Sequence, residues 1–140
     1  CKKKFTEENI IIVCADIEDQ IMGLQAKDRK DFMLESGIKS TGLDNLIKTG
    51  YKALGLSTFF TSGPEESRAW TIEKKSKAMD AAGVIHTDFK KKFIRAETVT
   101  CEDFIKYKGF NECKNAGKLR LEGKDYLVND GDVMYFRVGS

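Results

Sequence analysis

The spacing of apolar residues along the chain changes from helical to extended near residue 56. Before that point, apolar side chains recur with helical spacing, which predicts a helix over residues 16–34 with a break in its polar middle, and a second helix over residues 41–54. Thr41 and Asp44 have the spacing of a capping box at the start of the second helix. The pattern therefore predicts a helical region up to residue 55 and a different structure after it.

Residues 10–13, Ile-Ile-Ile-Val, interrupt the helical pattern of the first region. A continuous β-branched run is typical of a strand buried on both faces of a parallel sheet. Such a strand needs neighbours, so we expect residues 10–13 to be the last strand of a larger sheet. The chain starts with Cys1 and not with methionine, which indicates a piece of a longer protein.

Short extended and short helical patterns alternate over residues 56–140. The predicted strands cover residues 58–61, 68–74, 92–100, 119–122, 126–128 and 133–138, and the predicted short helices cover residues 101–107 and 110–116. A further, apolar helix begins at Ala78 and is predicted to end at Gly83, because glycine takes the left-handed conformation that terminates helices. We expect this helix to cover one face of a small sheet.

Turn residues separate these elements. The sequence 62–66, which contains the only proline, predicts the turn of a β-hairpin, and residues 129–131 are a strong turn signal before the last strand. The order of hairpin, helix, strand, small helices and short strands is that of a β-grasp (ubiquitin-like) domain, a mixed sheet curled around one helix. The predicted fold class is therefore α+β, with aromatic residues such as Trp70 and Phe136 in the core.

Composition places the chain among soluble globular proteins. Of its 140 residues, 41% are hydrophobic and 33% are charged, and the net charge is only +2. No apolar run is long enough to cross a bilayer and no signal peptide is evident, so we expect a cytoplasmic protein without a membrane partner. The charge balance gives no indication of DNA binding.

The candidates for metal binding or catalysis have simpler structural interpretations. The four cysteines are irregularly spaced and His86 is the only histidine, which favours reduced structural thiols over a zinc site or a disulfide framework. His86 adjoins Asp88 without any evident nucleophile, so a structural turn residue is favoured over an acid–base catalyst. Asp130 and Asp132 flank Gly131, and a hairpin turn is favoured over a cation site. We therefore predict no catalytic residue and no metal ligand.

Basic residues cluster around the predicted helix at Ala78 and its flanks. They are Lys74, Lys75, Lys77, Lys90, Lys91, Lys92 and Arg95. Together they could form one basic face that meets RNA phosphates and bases. The alternative is a solvated surface balanced by nearby carboxylates.

Several short sequence motifs are specific enough to indicate a family. Thr58-Phe-Phe-Thr-Ser-Gly-Pro-Glu, Ala81-Ala-Gly-Val-Ile-His-Thr-Asp-Phe and Asp130-Gly-Asp-Val-Met occur in this order. They resemble the C-terminal part of the Obg-like ATPases of the YchF family. The resemblance implies that residues 56–140 are a TGS domain, a β-grasp module named for threonyl-tRNA synthetases, GTPases and SpoT-type proteins.

Residues 1–55 resemble the end of the family's nucleotide-binding domain, a P-loop G domain. By this resemblance, Cys14, Ala15 and Asp16 stand at the loop that touches the nucleotide base, although Asp16 replaces the usual lysine or alanine. The sequence contains no Gly-x-x-x-x-Gly-Lys-Ser/Thr loop. We therefore expect no cofactor and no ATP hydrolysis in these 140 residues, whereas the resemblance implies an ATPase using ATP and Mg²⁺ for the whole protein.

Two functions follow from the resemblance. The first is a non-catalytic module that binds the ribosome, RNA or translation-related proteins through the basic residues. The alternative is an intramolecular regulatory domain that packs on the protein's own nucleotide-binding domain and tunes ATP turnover. An enzyme in its own right is disfavoured, since no nucleophile, base and anion-stabilising group can be assembled.

Overall fold

The computed structural model describes residues 10–139, and the chain divides into two compact units, the first ending at Leu54 and the second beginning at Gly55. The first unit contains helices α1 (Ala15–Gly23), α2 (Ala26–Glu35) and α3 (Gly42–Leu54). The predicted break in the first helical segment is thus confirmed. None of the helices within residues 10–139 is long and apolar enough to span a membrane.

Helix α3 begins with the predicted capping box. The Thr41 hydroxyl accepts the Asp44 N–H at 3.1 Å, and the Thr41 N–H donates to the Asp44 carboxylate at 3.4 Å. The Glu18 carboxylate of α1 also accepts the Gly42 N–H. Side-chain acceptors therefore satisfy the start of α3, while the predicted apolar stripe of this helix is largely exposed, with Leu46 at 56%.

The predicted strand at residues 10–13 does not form among the described residues. Residues 10–14 form neither strand nor helix, and the Ile12 side chain is 90% exposed. The physical reason is that a β-branched run forms a strand only beside another strand, and the described part of the first unit contains helices alone.

The second unit is built on one five-stranded sheet. Its strands are β1 (Leu56–Ser62), β2 (Ser67–Glu73), β3 (Phe93–Thr100), β4 (Arg120–Glu122) and β5 (Asp132–Val138), and its helices are α4 (Ala78–Ile85), α5 (Thr87–Lys91), α6 (Cys101–Tyr107) and α7 (Phe110–Asn115). The strand order is β2-β1-β5-β3-β4. β1 and β2 form the predicted antiparallel hairpin, β1 runs parallel to β5, and β3 pairs antiparallel with β4 and β5. The sheet is mixed, as predicted, and the architecture is of the α+β class.

Helix α4 covers one face of this sheet. Ala78, Ala81 and Ala82 are fully buried, and they pack against a cluster that includes Phe59 and Phe136. Small side chains on the helix allow its backbone to approach the aromatic residues of the strands closely. The predicted role of this helix as the cover of the sheet is therefore confirmed.

The predicted end of this helix at Gly83 is wrong. The helix continues to Ile85, and Gly83 has no positive φ. A Cβ atom at Gly83 would lie 3.2 Å from Cβ and Cδ of Lys90. Gly83 is therefore required for the close approach of α5 rather than for a helix terminus.

Helices α6 and α7 pack against the other face of the sheet. Val99 and Val133 from the strands and Cys113 from α7 are buried there, with Phe104 and Phe110 packed against them. The thiols of Cys14, Cys101 and Cys113 are free, and Cys1 lies outside the described residues. The sheet is thus covered by helices on both faces, although only partly on the second.

The predicted strand at residues 126–128 is also wrong. This segment has one isolated bridge, between Leu127 and Lys77. Its backbone instead meets the start of α4: the Ala78 N–H donates to the Tyr126 carbonyl at 2.8 Å, and the Val128 N–H donates to the Ser76 carbonyl at 2.9 Å. The backbone N–H and C=O groups that residues 126–128 would use to pair with a neighbouring strand are therefore hydrogen-bonded to the start of α4 instead.

Thr98 on β3 provides a test of the core. Its hydroxyl is fully buried and has no hydrogen-bond partner among the described residues. Thr98→Val replaces an unsatisfied hydroxyl with a methyl group and is expected to raise the unfolding free energy by about 1 kcal/mol in urea denaturation. The same change at Thr100, whose hydroxyl caps α6 by accepting the Asp103 N–H at 3.1 Å, should lower it by about 1 kcal/mol. Destabilisation by both variants would contradict this interpretation of Thr98.

Candidate functional site

The structure divides the predicted basic residues among three places. Lys74 and Lys75 lie in the turn that follows β2, and Lys77 is the N-cap residue of α4. Residues 90–92 lie at the C-terminal end of α5. Arg95 lies on β3.

A tight turn after β2 fixes the backbone of the three lysines that precede α4, which are Lys74, Lys75 and Lys77. Lys75 has a φ of 66°, and the Ser76 N–H donates to the Glu73 carbonyl at 3.1 Å. Lys77 Nζ lies 2.7 Å from Asp125 Oδ1, and the hydrogen bond to this carboxylate raises the pKa of Lys77. The charge of Lys77 is therefore balanced locally, whereas Lys74 and Lys75 extend into solvent.

The end of α5 has one paired lysine and two exposed ones. Lys90 Nζ lies 2.8 Å from Asp80 Oδ1 and links α5 to α4. Lys91 and Lys92 are exposed, and no carboxylate within residues 10–139 forms a salt bridge with either of them. Two neighbouring cations at a helix C-terminus are electrostatically favourable there and remain available to an anionic partner. We call Lys91 and Lys92 the lysine pair.

His86 caps the helix at whose other end the lysine pair lies. It is the N-cap residue of α5, and its Nδ1 accepts the Asp88 N–H at 3.2 Å. The predicted structural role of His86 in a turn is confirmed, because the imidazole satisfies one of the free N–H groups at the start of the helix.

Arg95 does not share a face with the lysine pair, so the predicted single basic face is wrong. Ala96 is paired with Phe136 and buried in the cluster under α4. Because successive side chains of a strand point to opposite faces, Arg95 points to the face away from α4. There it lies opposite Arg137, whose guanidinium stacks over the Tyr135 ring at 4.5 Å.

Sequence reasoning missed a buried polar network at the start of β5. The Asp132 side chain is 2% exposed. Its carboxylate accepts from Arg120 Nη2 at 3.1 Å, from the Tyr126 hydroxyl at 2.7 Å and from the Asn129 N–H at 2.9 Å. These bonds hold residues 123–131 against the sheet. In the sequence, the only indication of this network was the turn signal Asp130-Gly131-Asp132. That signal did not show that Arg120 and Tyr126 bind the Asp132 carboxylate.

Asp130 links the same turn to β1. Its carboxylate accepts the Thr58 N–H at 2.7 Å, and the Gly131 N–H donates to the Thr58 carbonyl at 2.8 Å. The predicted turn is present, and protein donors occupy both carboxylates. Within residues 10–139, no group of three or more His, Cys, Asp or Glu side chains is arranged to hold a metal ion.

Tyr126 gives this network a pH dependence. Burial, followed by the hydrogen bond to the Asp132 carboxylate, raises the pKa of Tyr126 from 10.0 to about 12. The unfolded chain therefore loses this proton at lower pH than the folded protein does. The stability that the protonated hydroxyl contributes is complete below pH 10.0 and is lost as the pH rises towards 12.

We expect Tyr126→Phe to flatten the decline of unfolding free energy between pH 10 and 12, measured by urea denaturation at several pH values. Tyr135→Phe is the matched control, since it changes an exposed tyrosine on β5 of the same unit. An equal decline in the two variants would exclude Tyr126 as its source.

The predicted base-contacting residues lie together at the start of α1. Cys14 is its N-cap residue, and Cys14, Ala15 and Asp16 are all exposed. Asp16 offers a single carboxylate, and residues 10–139 place no acidic ligand group around it. These residues therefore do not fit a magnesium site, and their contact with the nucleotide base stays a prediction.

Comparison with known proteins identifies the family. The model of the YchF-GTPase_C family, described as a protein of unknown function (DUF933), matches residues 56–139. The chain belongs to the YchF family. It is 52% identical over 128 residues to the Ribosome-binding ATPase YchF of Bacillus subtilis, covering 91% of this chain and 35% of that protein. The chain thus spans about a third of the length of such curated relatives.

Two further comparisons agree with this membership. The Obg-like ATPase 1 of Pongo abelii is 47% identical over 121 residues, covering 86% of this chain and 30% of that protein. The solved structure of the Schizosaccharomyces pombe YchF GTPase matches with a TM-score of 0.73 at 37% identity, covering 89% of this chain and 33% of that one. The mixed α+β architecture is therefore shared with a YchF structure.

Proposed function

We propose that residues 56–139 are the TGS-type β-grasp domain through which a YchF ATPase contacts the ribosome. The observation that carries this proposal is the 52% identity, over 91% of this chain, to a protein named a ribosome-binding ATPase. The strand order and the helix covering one face are consistent with a β-grasp domain. The lysine pair supplies the contact surface, because ribosomal RNA is a polyanion and these cations are exposed.

The chemistry of the whole protein belongs to residues outside this chain. In this proposal, ATP and Mg²⁺ bind elsewhere in the nucleotide-binding domain, whose end is formed by residues 1–55. Residues 56–139 act in the cytoplasm as a non-catalytic binding module. Cys14, Ala15 and Asp16 lie near the nucleotide base and make no contact with its phosphates.

Co-sedimentation of the 140-residue chain with purified ribosomes tests the proposal. We expect the chain to pellet with ribosomes at low salt and to be released as salt increases, since phosphate contacts release counterions. A chain that stays in the supernatant at the lowest salt concentration would contradict the proposal.

A further inference from the structure

In the sheet of the second unit, β1 pairs with β5 over a short stretch only. β3 pairs with β5 from Asp132 to Val138, whereas the register of β1 with β5 consists of the single pair Phe60↔Val133. β1 ends at Ser62, two residues after this pair, while β5 continues for five residues beyond it. The second half of β5 therefore has a neighbouring strand on one side, and on its other side it faces a cleft.

The cleft is apolar in its depth. It has a volume of about 360 Å³, and its walls include Trp70, Ile85, Phe89, Phe136 and Val138. Trp70 is fixed there by a hydrogen bond from its Nε1 to the Thr61 hydroxyl at 2.9 Å. The volume is sufficient for one large aliphatic or aromatic side chain.

The rim of the cleft carries two carboxylates near one guanidinium. Glu66 lines it, the exposed Glu65 precedes Glu66 in the hairpin turn, and Arg68 stacks over the Trp70 ring at 4.4 Å. No lysine or arginine within residues 10–139 forms a salt bridge with either carboxylate. A rim with more carboxylates than cations disfavours RNA phosphates and favours a basic polypeptide.

We propose that this cleft binds an extended, basic peptide segment with one large apolar anchor, supplied by a protein component of the ribosome. The segment lies beside the second half of β5, its backbone extends the sheet, and the anchor fills the cavity below it. This combination of a strand edge and an adjoining side-chain pocket is the geometry of β-strand addition. The proposal rests on the proposed ribosome contact and assigns it a protein partner in addition to the RNA at the lysine pair.

The test combines a photo-crosslink with a variant that fills the cleft. Benzoylphenylalanine at position 64, in place of the exposed Pro64 of the hairpin turn, is crosslinked to purified ribosomes, and the adduct is treated separately with ribonuclease and with protease. We expect an adduct that resists ribonuclease and is lost with protease. The control places the same group at the exposed Glu102 of α6, on the other face of the sheet, and should give little adduct.

Gly63 is suited to the filling variant because a Cβ atom there would meet only the Glu66 carbonyl oxygen, at 3.8 Å, and its φ is not positive. Gly63→Phe places a ring in the cleft and is expected to lower the crosslink yield about tenfold, the effect of excluding one buried apolar anchor. Gly123→Phe, at a glycine with open space around it, is the matched control and should leave the yield unchanged. Glu66→Lys should also lower the yield, and it decides the result if Gly63→Phe unfolds the protein in circular dichroism.

Each remaining outcome overturns the proposal. An adduct to RNA, no adduct at position 64, or a protein adduct that persists in Gly63→Phe and Glu66→Lys would exclude a peptide in the cleft while leaving the ribosome contact intact. Failure of the unmodified chain to sediment with ribosomes would overturn both proposals.

Discussion

Replacing Lys91 and Lys92 by glutamate is expected to weaken co-sedimentation with ribosomes about tenfold or more at low salt. The double variant removes two exposed cations and adds two carboxylates facing the same polyanion. If both lysines bind phosphates, the slope of log affinity against log salt should fall by roughly 1.4 to 1.8, which is about 0.7 to 0.9 for each phosphate that is no longer neutralised. Lys90 is left unchanged because it is bound to Asp80 and stabilises the α4–α5 pair.

The control variant has the same change in charge elsewhere. Lys114 and Lys118 are exposed, near the end of α7. Their joint replacement by glutamate should affect co-sedimentation much less than replacement of the lysine pair. Equal effects of the two double variants would mean that net charge alone controls binding, and unchanged binding without the lysine pair would contradict its assigned role.

Removing the Asp132 carboxylate is expected to cause the largest loss of stability. Asp132→Ala leaves the Tyr126 hydroxyl and the Asn129 N–H without their acceptor and deprives Arg120 of its buried partner. Leaving a buried donor unsatisfied costs about 1–3 kcal/mol, and because Tyr126 is half-buried and Asn129 is exposed, a total of about 3 kcal/mol is expected for the whole network. Arg120 contributes less to this sum because it is 43% exposed and can be hydrated.

The measurement is urea denaturation followed by the fluorescence of Trp70. This is the only tryptophan of the chain and lies on β2, so its signal reports the second unit. We expect a lower midpoint with an unchanged m-value. Asp125→Ala, in the same connection, is the matched control: its side chain is 85% exposed, so removing its ion pair with Lys77 should shift the midpoint far less than Asp132→Ala does. Similar midpoints for the two variants would show that burial of Asp132 is not decisive.

Several local features could be predicted from the sequence because neighbouring residues determine them. The capping box at Thr41 is set by residues three positions apart, and the turn at residues 129–131 is set by residues with a preference for tight turns. The extended pattern of apolar residues was sufficient to predict the hairpin, and the aromatic side chains of the predicted strands were sufficient to predict residues of the core. The family could also be identified from the sequence, because short contiguous motifs are sufficient to recognise it.

The predictions that differ from the structure share one physical origin. The strand at residues 10–13 depends on a neighbouring strand, and the role of Gly83 depends on Lys90 of the next helix. The proposed basic face required knowledge of which side of the sheet Arg95 occupies. In each case the deciding interaction is made with a residue outside the local pattern.

The sequence by itself determined most of the helices and the hairpin of the second unit, its family and the presence of many basic residues around α4. Only the tertiary structure decided which of those cations remain exposed, because a salt bridge depends on where the partner carboxylate lies in space, as Lys90 and Asp80 illustrate. It also decided that Asp132 is a buried acceptor, since Arg120 and Tyr126 reach it only after the connection to β5 has folded against the sheet.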